Sequence, residues 1–593
     1  MCGISGIFSF ATERPVERAW LARMNAVQQH RGPDDEGVYV SGRIGLGNRR
    51  LAIVDRENGR QPMATPDGAL WVTFGGEIFE HQALRSELEG RGLRFRTRSD
   101  TEVVLRAYEA YGEGCVERLD GQFAFAIWDA TKETLFLARD RLGIVPLHYA
   151  VRAGQFIFAS EVKAILAHPD AAPSADLTGV AEMLLCGALF EGRTTFRDIH
   201  SLAPGHTLTV SARGCAGRCY WDIPLEAGTS PGSEEDLAER LVSRLEHAVR
   251  IRLPSEVDWG VILSGGTDSS TLCALATRLT ADAVQTFTID FPDRWKGGDT
   301  DARYARGMAA ALGARHHEFL VEPERYFAAM DRLMWHLERP FNKGAASMYL
   351  IYERVRDDAT VILSGEGADE LFAGYMGSRG LGLDGIVRTG EITRFPWAPY
   401  WEVADRLLSA EFRRACGAES LVADRLRASL ARAATGDLLN QALYLYCRHF
   451  LTELLEIHDR TSLAFGVEGR MPFLDHRFVE EFFPLPSDLK YRHGEAKHLL
   501  KRAIRGLVPE EVIHRKKTHM PIPRDPQSVY RQIEWARSLV SGPGSRTAHY
   551  YDLPRMEDFL AHRNEFADVD MVAVWQITLY LITLELQHRV FRL

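Results

Sequence analysis

The chain has 593 residues, of which 46% are hydrophobic and 26% charged, with a formal net charge of −10. At about 150 residues per domain that length points to two to four domains, and the composition is that of an ordinary soluble globular protein. An acidic balance argues against nucleic acid as the main partner, which needs a basic face. The eight cysteines, at 2, 115, 186, 215, 219, 273, 416 and 447, are scattered and do not form a secreted disulfide framework. Cys215 and Cys219 make a lone C-x3-C, short of the four ligands that structural zinc takes.

The chain begins MCGISGIF. Removal of Met1 would leave Cys2 with a thiol and a free amine on one carbon, a nucleophile carrying its own base. The stretch MCGISGIFSFATERP has no basic segment followed by a long apolar one, so no signal peptide is expected and the protein reads as cytoplasmic. Up to residue 212 the sequence is dominated by short alternating runs such as ALWVTFGGEIFE, FAFAIWDA and GQFIFASE, the period-two pattern of strands with one buried face. HQALRSELEGRG and DTEVVLRAYEAYG interrupt them with helical periodicity, which makes this part α+β.

Residues 213–236, ending in the Gly-, Ser- and acid-rich LEAGTSPGSEED, read as a linker. From 237 to 593 the pattern changes to α/β. WGVILSGG, helix SSTLCALATRL, VQTFTIDF and helix ARYARGMAAALG alternate, which implies right-handed crossovers and a doubly wound parallel sheet, followed by a mainly helical C-terminal part. MVAVWQITLYLITL (571–584) contains Gln576, Thr578 and Thr583 and is shorter than the ~20 apolar residues of a membrane span, so it reads as a core helix and no membrane partner is expected.

Two segments, VILSGGTDSS (261–270) and VILSGEGADE (361–370), share a pentapeptide in which a buried strand runs into small residues. In a parallel sheet such ends lie at the carboxyl edge, where ligands bind. After the first, a glycine turn opens a helix, so that Leu263, Ser264, Gly265, Gly266, Ser269 and Ser270 form a phosphate-binding loop. The Walker lysine is missing. Asp268 stands among these residues, as a ligand for Mg²⁺ would.

The S-G-G-x-D-S-S loop resembles that of the PP-loop ATP pyrophosphatases, which implies cleavage of ATP to AMP and pyrophosphate. MCGISGIF, HRGPDDEG (30–37), RRLAIVD (49–55), GGEIFE (75–80), SDTEVVL (99–105), ARDRLGIVPLHY (138–149) and FASEVKAIL (158–166) resemble the N-terminal-nucleophile glutaminase domain of class II amidotransferases, an αββα sandwich. The two in this order, with VEGRMPFLDHRFVE (467–480) and HGEAKHLLKRAI (493–504), resemble the asparagine synthetase family over essentially the whole chain.

The resemblance implies a glutaminase domain at 2–212 and a ligase domain at 237–593. It implies that Cys2 attacks the glutamine amide, that Arg50 grips the α-carboxylate and Asp100 the α-ammonium, and that Gly75, Gly76 and Glu77 line the amide end. Ammonia would then cross between domains to a carboxylic acid activated as its adenylate. Ser364 and Gly365 would contact ATP, Ile289 the adenine, Asp268 and Asp369 Mg²⁺; Glu366 with Tyr375 would form the acid–base set, and Lys497 would neutralise developing charge. Dimers are common in the family.

Three features depart from the family pattern. The usual Asn-Gly-Glu is Gly75-Gly76-Glu77, which removes a side-chain donor from the oxyanion hole, a loss worth roughly 3–4 kcal/mol. In RPFNKGAASMYL (339–350) Pro340 and Phe341 replace Thr and Lys343 replaces Arg, a point charge in place of a bidentate fork. A K-x-D-R motif becomes His458-Asp459-Arg460. These leave the acceptor open between aspartate and another carboxylic acid. A ligase using ammonia or another amine, with an impaired glutaminase, is the alternative enzyme, and an ATP-binding regulatory relic the non-enzymatic one.

Overall fold

A computed structural model describes the chain except for residues 191, 227–231, 293–299, 342–343, 377–382, 385, 387–389, 399, 519 and 524. Lys343 therefore lies outside the described residues.

The N-terminal part contains two six-stranded antiparallel sheets. The strands are β1 (Gly3–Ser9), β2 (Asp35–Ser41), β3 (Ile44–Arg50), β4 (Met63–Ala64), β5 (Leu70–Ile78), β6 (Gly121–Asp129), β7 (Thr134–Arg139), β8 (His148–Arg152), β9 (Gln155–Ala159), β10 (Ile199–Ser201), β11 (His206–Ser211) and β12 (Gly214–Cys219). One sheet runs β10-β8-β9-β1-β3-β2 and the other β12-β11-β7-β6-β5-β4. Period-two alternation sorts the side chains of β6. Ala124, Ala126 and Trp128 join Ile4, Phe8, Leu46 and Phe156 in the layer between the sheets. Phe123, Phe125 and Ile127 face Val103, Val104 and Tyr108 of helix α1 (Asp100–Tyr111) on the outside. Trp20, Leu21 and Met24 cover Ile7 and Ile157 on the opposite outer face. The layers are helix, sheet, sheet, helix.

The expected linker at 213–236 needs correction at its start, because β12 pairs with β11 from Ser211↔Gly214 to His206↔Cys219. Its residues are small and mostly exposed, an edge strand without the apolar face that marks a strand in sequence.

The second part holds a five-stranded parallel sheet of β13 (Trp259–Ile262), β14 (Gln285–Asp290), β15 (Arg315–Leu320), β16 (Val361–Leu363) and β17 (Glu468–Arg470). The order β15-β14-β13-β16-β17 reverses direction between β13 and β16. That is the switch point at which open α/β sheets bind ligands, and both VILSG segments end there. Helices α2 (Thr267–Leu279), α3 (Asp301–Leu312), α4 (Ala345–Val355) and α5 (Leu451–Leu463) pack against it, and α6 (Met571–Phe591) packs on other helices of this part. Helix α6 is buried along most of its length, and no helix among the described residues is long and apolar enough to cross a membrane.

Candidate active sites

At the N-terminal site the antiparallel pairing of β1 with β3 and the packing of α1 onto β5 bring Cys2, Arg50, Gly76, Glu77 and Asp100 around one cavity of about 20 Å³, with Gln61, Thr101 and Glu468. That volume holds about one water. Part of the cavity wall is Arg50, whose Nη1 donates to the Arg56 carbonyl (2.9 Å) and whose Nη2 donates to those of Val54 (3.2 Å) and Asp55 (2.8 Å). The guanidinium thus grips its own loop in place of the expected carboxylate.

Cys2 is buried, its thiol 3.9 Å from the Leu51 carbonyl. Burial pushes its pKa up against the pull of the chain's terminal ammonium. That ammonium, on Met1, is ion-paired with Glu468 in the interior. Asp100 accepts from the Ile78 N–H (3.1 Å) and the Thr101 N–H (2.9 Å), and burial raises its pKa. Burial also pushes the Glu77 carboxyl up, opposed by Arg470, whose Nη2 donates to it from β17 of the other domain. Gly76 has φ +133°, and a Cβ there would lie 2.0 Å from the Gln122 carbonyl oxygen, so β6 demands glycine. At Gly75 a Cβ would lie 2.9 Å from the Cys2 carbonyl oxygen. The backbone has closed on the space an asparagine side chain needs.

The second site forms at the switch point. Leu263 ends β13 by donating its N–H to Phe287 (2.9 Å). Gly265 turns with φ +66°, and its missing side chain admits the backbone of α3, since a Cβ would sit 2.4 Å from the Ala305 nitrogen. Gly266 caps α2. Ser264 and Ser269 hydroxyls lie 3.1 Å apart, and the Ser264 N–H donates to Ser269 Oγ (3.2 Å). The Ser270 hydroxyl is enclosed behind the loop without a hydrogen-bond partner. Gly265→Ala is expected to displace the turn from the backbone of α3 and lower the thermal midpoint, as strain at a left-handed position does; a thermal melt measures it.

Ser364 and Gly365 follow β16, which pairs with β13 at Val261↔Leu363. Gly365 lies against Asp268 and Ser269, where a Cβ would meet them at 3.2 and 3.4 Å. Ile289 lies one strand away in β14, buried in the core.

Lys497 joins the two loops. Its Nζ donates to Asp268 Oδ1 (2.7 Å) and Oδ2 (2.6 Å) and lies 2.6 Å from Asp369 Oδ1. Gly374 makes this possible, because a Cβ there would fall 1.9 Å from Asp369 Oδ1 and 2.4 Å from Lys497 Cε. Burial would raise the Asp369 pKa, and Lys497 with Lys517 (2.5 Å from Oδ2) instead holds it well below the usual range. Among the described residues no three His, Cys, Asp or Glu side chains could cage a metal ion. Two carboxylates from separate loops do suit Mg²⁺, which takes one or two carboxylates and completes its shell with phosphate and water oxygens.

The expected Glu366–Tyr375 pair is corrected. The Tyr375 hydroxyl donates to Glu370 Oε1 (2.6 Å), whereas Glu366 Oε1 lies 3.0 Å from His458 Nδ1. Gly367, at φ +95°, separates Glu366 from the helical turn Ala368–Leu371 that carries Glu370. Burial, then Asp369, pushes the Glu370 pKa up to about 7. The sequence reading also missed Arg515, which donates to the Ser264 carbonyl (3.0 Å) and to Asp301 (2.5 Å), and Lys517. The run His514-Arg-Lys-Lys517 was the available signal.

Residues 1–221 match the family model described as a glutamine amidotransferase domain and residues 240–589 that described as asparagine synthase. The chain is 32% identical over 583 residues to asparagine synthetase [glutamine-hydrolyzing] 3 of Bacillus subtilis, covering 94% of this chain and 93% of that protein. It is 28% identical to asparagine synthetase [glutamine-hydrolyzing] 1 of the same organism, covering 98% and 96%. It is 27% identical to asparagine synthetase B [glutamine-hydrolyzing] of Escherichia coli, covering 96% and 91%. With two functional clusters built on two successive domains, and matches of that extent to both, the chain belongs to the asparagine synthase family.

Proposed function

We propose that this protein is a glutamine-hydrolysing carbon–nitrogen ligase that amidates a carboxylic acid, aspartate or a related acid, through an acyl-adenylate, with release of AMP and pyrophosphate. The observation that carries the reading is the convergence of Asp268, Asp369 and Lys497 on one point beside the Ser-Gly-Gly loop. Asp268 and Asp369 would hold Mg²⁺, which supplies charge neutralisation at the leaving pyrophosphate. The loop N–H groups of Gly265 and Gly266 and the N-terminus of α2 bind phosphate oxygens. Lys497 and Lys517 offset negative charge as it moves to the leaving group.

In the N-terminal domain Cys2 would attack the glutamine amide carbon, with its own α-amine taking the thiol proton once Met1 is removed. Cys2→Ala is expected to abolish glutamate release while sparing pyrophosphate release driven by ammonium, ATP and aspartate. Glutamate assays with mass spectrometry of the N-terminus test this, and glutamate formed equally by Cys2→Ala would refute the assignment.

A second reading, a ligase fed by ammonia or another amine, is favoured by Gly75. Because a Cβ there crowds the Cys2 carbonyl, Gly75→Asn is expected to lower glutamate release about tenfold, since small displacements of reacting groups are costly. A rise would show that the missing side-chain donor alone limits the site.

A further inference from the structure

The ligase reading assigns no role to His458. Its ring is fully buried in α5, Nδ1 lying 3.0 Å from Glu366 Oε1 and Nε2 lying 2.8 Å from the Tyr352 hydroxyl of α4. Burial raises the Tyr352 pKa well above that of a free phenol. A carboxylate only accepts, so Nδ1 carries the proton donated to Glu366, and the phenol, which keeps its proton, faces Nε2 and can donate to it. Burial would also raise the Glu366 pKa, but His458, helped by the Ser364 hydroxyl and a backbone N–H, more than offsets it, and the carboxyl is held below its usual range.

Two further features fit the ring to this place. His458 fixes Glu366 Oε1, and the Ser364 hydroxyl lies near the same carboxyl; Oε2 is enclosed with no partner in hydrogen-bonding geometry among the described residues, which leaves it for a substrate proton. On the far side of the ring, β17 passes so close that a Cβ at Gly469 would lie 2.0 Å from His458 Nε2. The imidazole occupies space that any other residue at 469 would claim. His458 and Gly469 thus belong together, and Glu366 lies next to Gly365, beside the Asp268 loop.

We propose that Tyr352 and His458 form a fixed hydrogen-bond chain that positions Glu366 to take one proton from the attacking nitrogen in the amide-forming half of the reaction. The proposal rests on the ligase reading of this site. The nitrogen lone pair forms the C–N bond at the acyl carbon and the carbonyl pair moves to oxygen. One of the three ammonia protons passes to Glu366 Oε2. Re-formation of the carbonyl then breaks the bond to the AMP oxygen, and the amide keeps the other two protons. His458 does not touch the substrate; it is a positioning residue, and Tyr352 fixes its tautomer.

The test separates the two half-reactions with aspartate as the acid and ammonium as the nitrogen source. His458→Leu is expected to keep ATP–pyrophosphate exchange and the aspartate KM within about threefold while kcat for asparagine falls about 10²-fold, the scale of a positioned proton acceptor. His458→Asn, which can still donate from the Nδ1 position, is expected to recover about tenfold of that loss. Equal losses in exchange and amide formation, or no rescue by Asn, would overturn the proposal.

A substrate-free measurement runs alongside. In protein carrying ¹⁵N-histidine, the His458 signals are those lost in His458→Asn. They are expected to show a protonated Nδ1 and a bare Nε2, with Nε2 shifting in Tyr352→Phe. A bare Nδ1, or an unmoved Nε2, would overturn the chain whatever the acid. An enzyme showing this tautomer but no exchange with aspartate would instead refute aspartate as acceptor.

Discussion

Arg470→Met is expected to eliminate glutamine-dependent amide formation while leaving a measurable ammonium-dependent reaction. Arg470 is completely buried in β17. Its Nε donates to Glu468 Oε1 (2.9 Å), its Nη1 to the Arg252 carbonyl (2.7 Å) and its Nη2 to Glu77 across the domain boundary. Methionine fills much of the same volume but leaves Glu77 and Glu468 as buried carboxylates, with the chain's terminal ammonium still on Glu468. Removing one partner of a buried ion pair costs about 3–5 kcal/mol. Glu77, whose pKa burial already raises, would bind a proton and lose its hold on the cavity wall. Glutamate release is expected to fall by about 10²-fold, as when a group that fixes reacting atoms is displaced. Glutamate and pyrophosphate assays with either nitrogen source decide it, and unchanged glutamate release would show that β17 does not support the glutaminase site.

Lys497→Met is expected to act on the other site, reducing pyrophosphate release by about 10²–10³-fold, the range found on losing one preorganised charge-stabilising group. Lys497 adopts φ +59° immediately before the helix His498–Ala503 and donates its N–H to the Phe372 carbonyl (3.0 Å). That backbone anchor lies outside the side chain, so the loop should keep its course. Without the ammonium, Asp268 and Asp369 face each other across an empty position, with Lys517 still on Asp369. Mg²⁺ in the absence of ATP should then raise the thermal midpoint of Lys497→Met more than that of the parent, because the cation binds only the folded state. Equal shifts would mean that Lys497 does not stand where the metal binds.

Local constraints made much of this legible in the sequence. The Ser-Gly-Gly turn follows from a strand, a glycine that must take φ +66° and a helix start, all within ten residues. The switch from alternating to strand–helix–strand patterning gives the two domains. Helix α6 was readable as core because its apolar run is broken by Gln576, Thr578 and Thr583. Strand β12 was not readable, since an exposed edge strand of GCAGRC carries no burial signal.

Partner choice was the other thing out of reach. Glu366 could be placed beside a strand end, but nothing local says that it pairs with His458, 92 positions away, while Tyr375 pairs with Glu370. The same holds for Lys497 with Asp268, and for Arg470 with Glu77, 393 positions apart. Spacing along a strand or helix determines which face a side chain occupies. Which buried charge meets which depends on the desolvation each must offset once the elements have packed. The Ser-Gly-Gly turn between strand and helix, and the two-part organisation of the chain, were therefore determined by the sequence alone. The hydrogen-bond chain through His458, the lysine between two carboxylates and the arginine joining the domains were decided only by the tertiary structure.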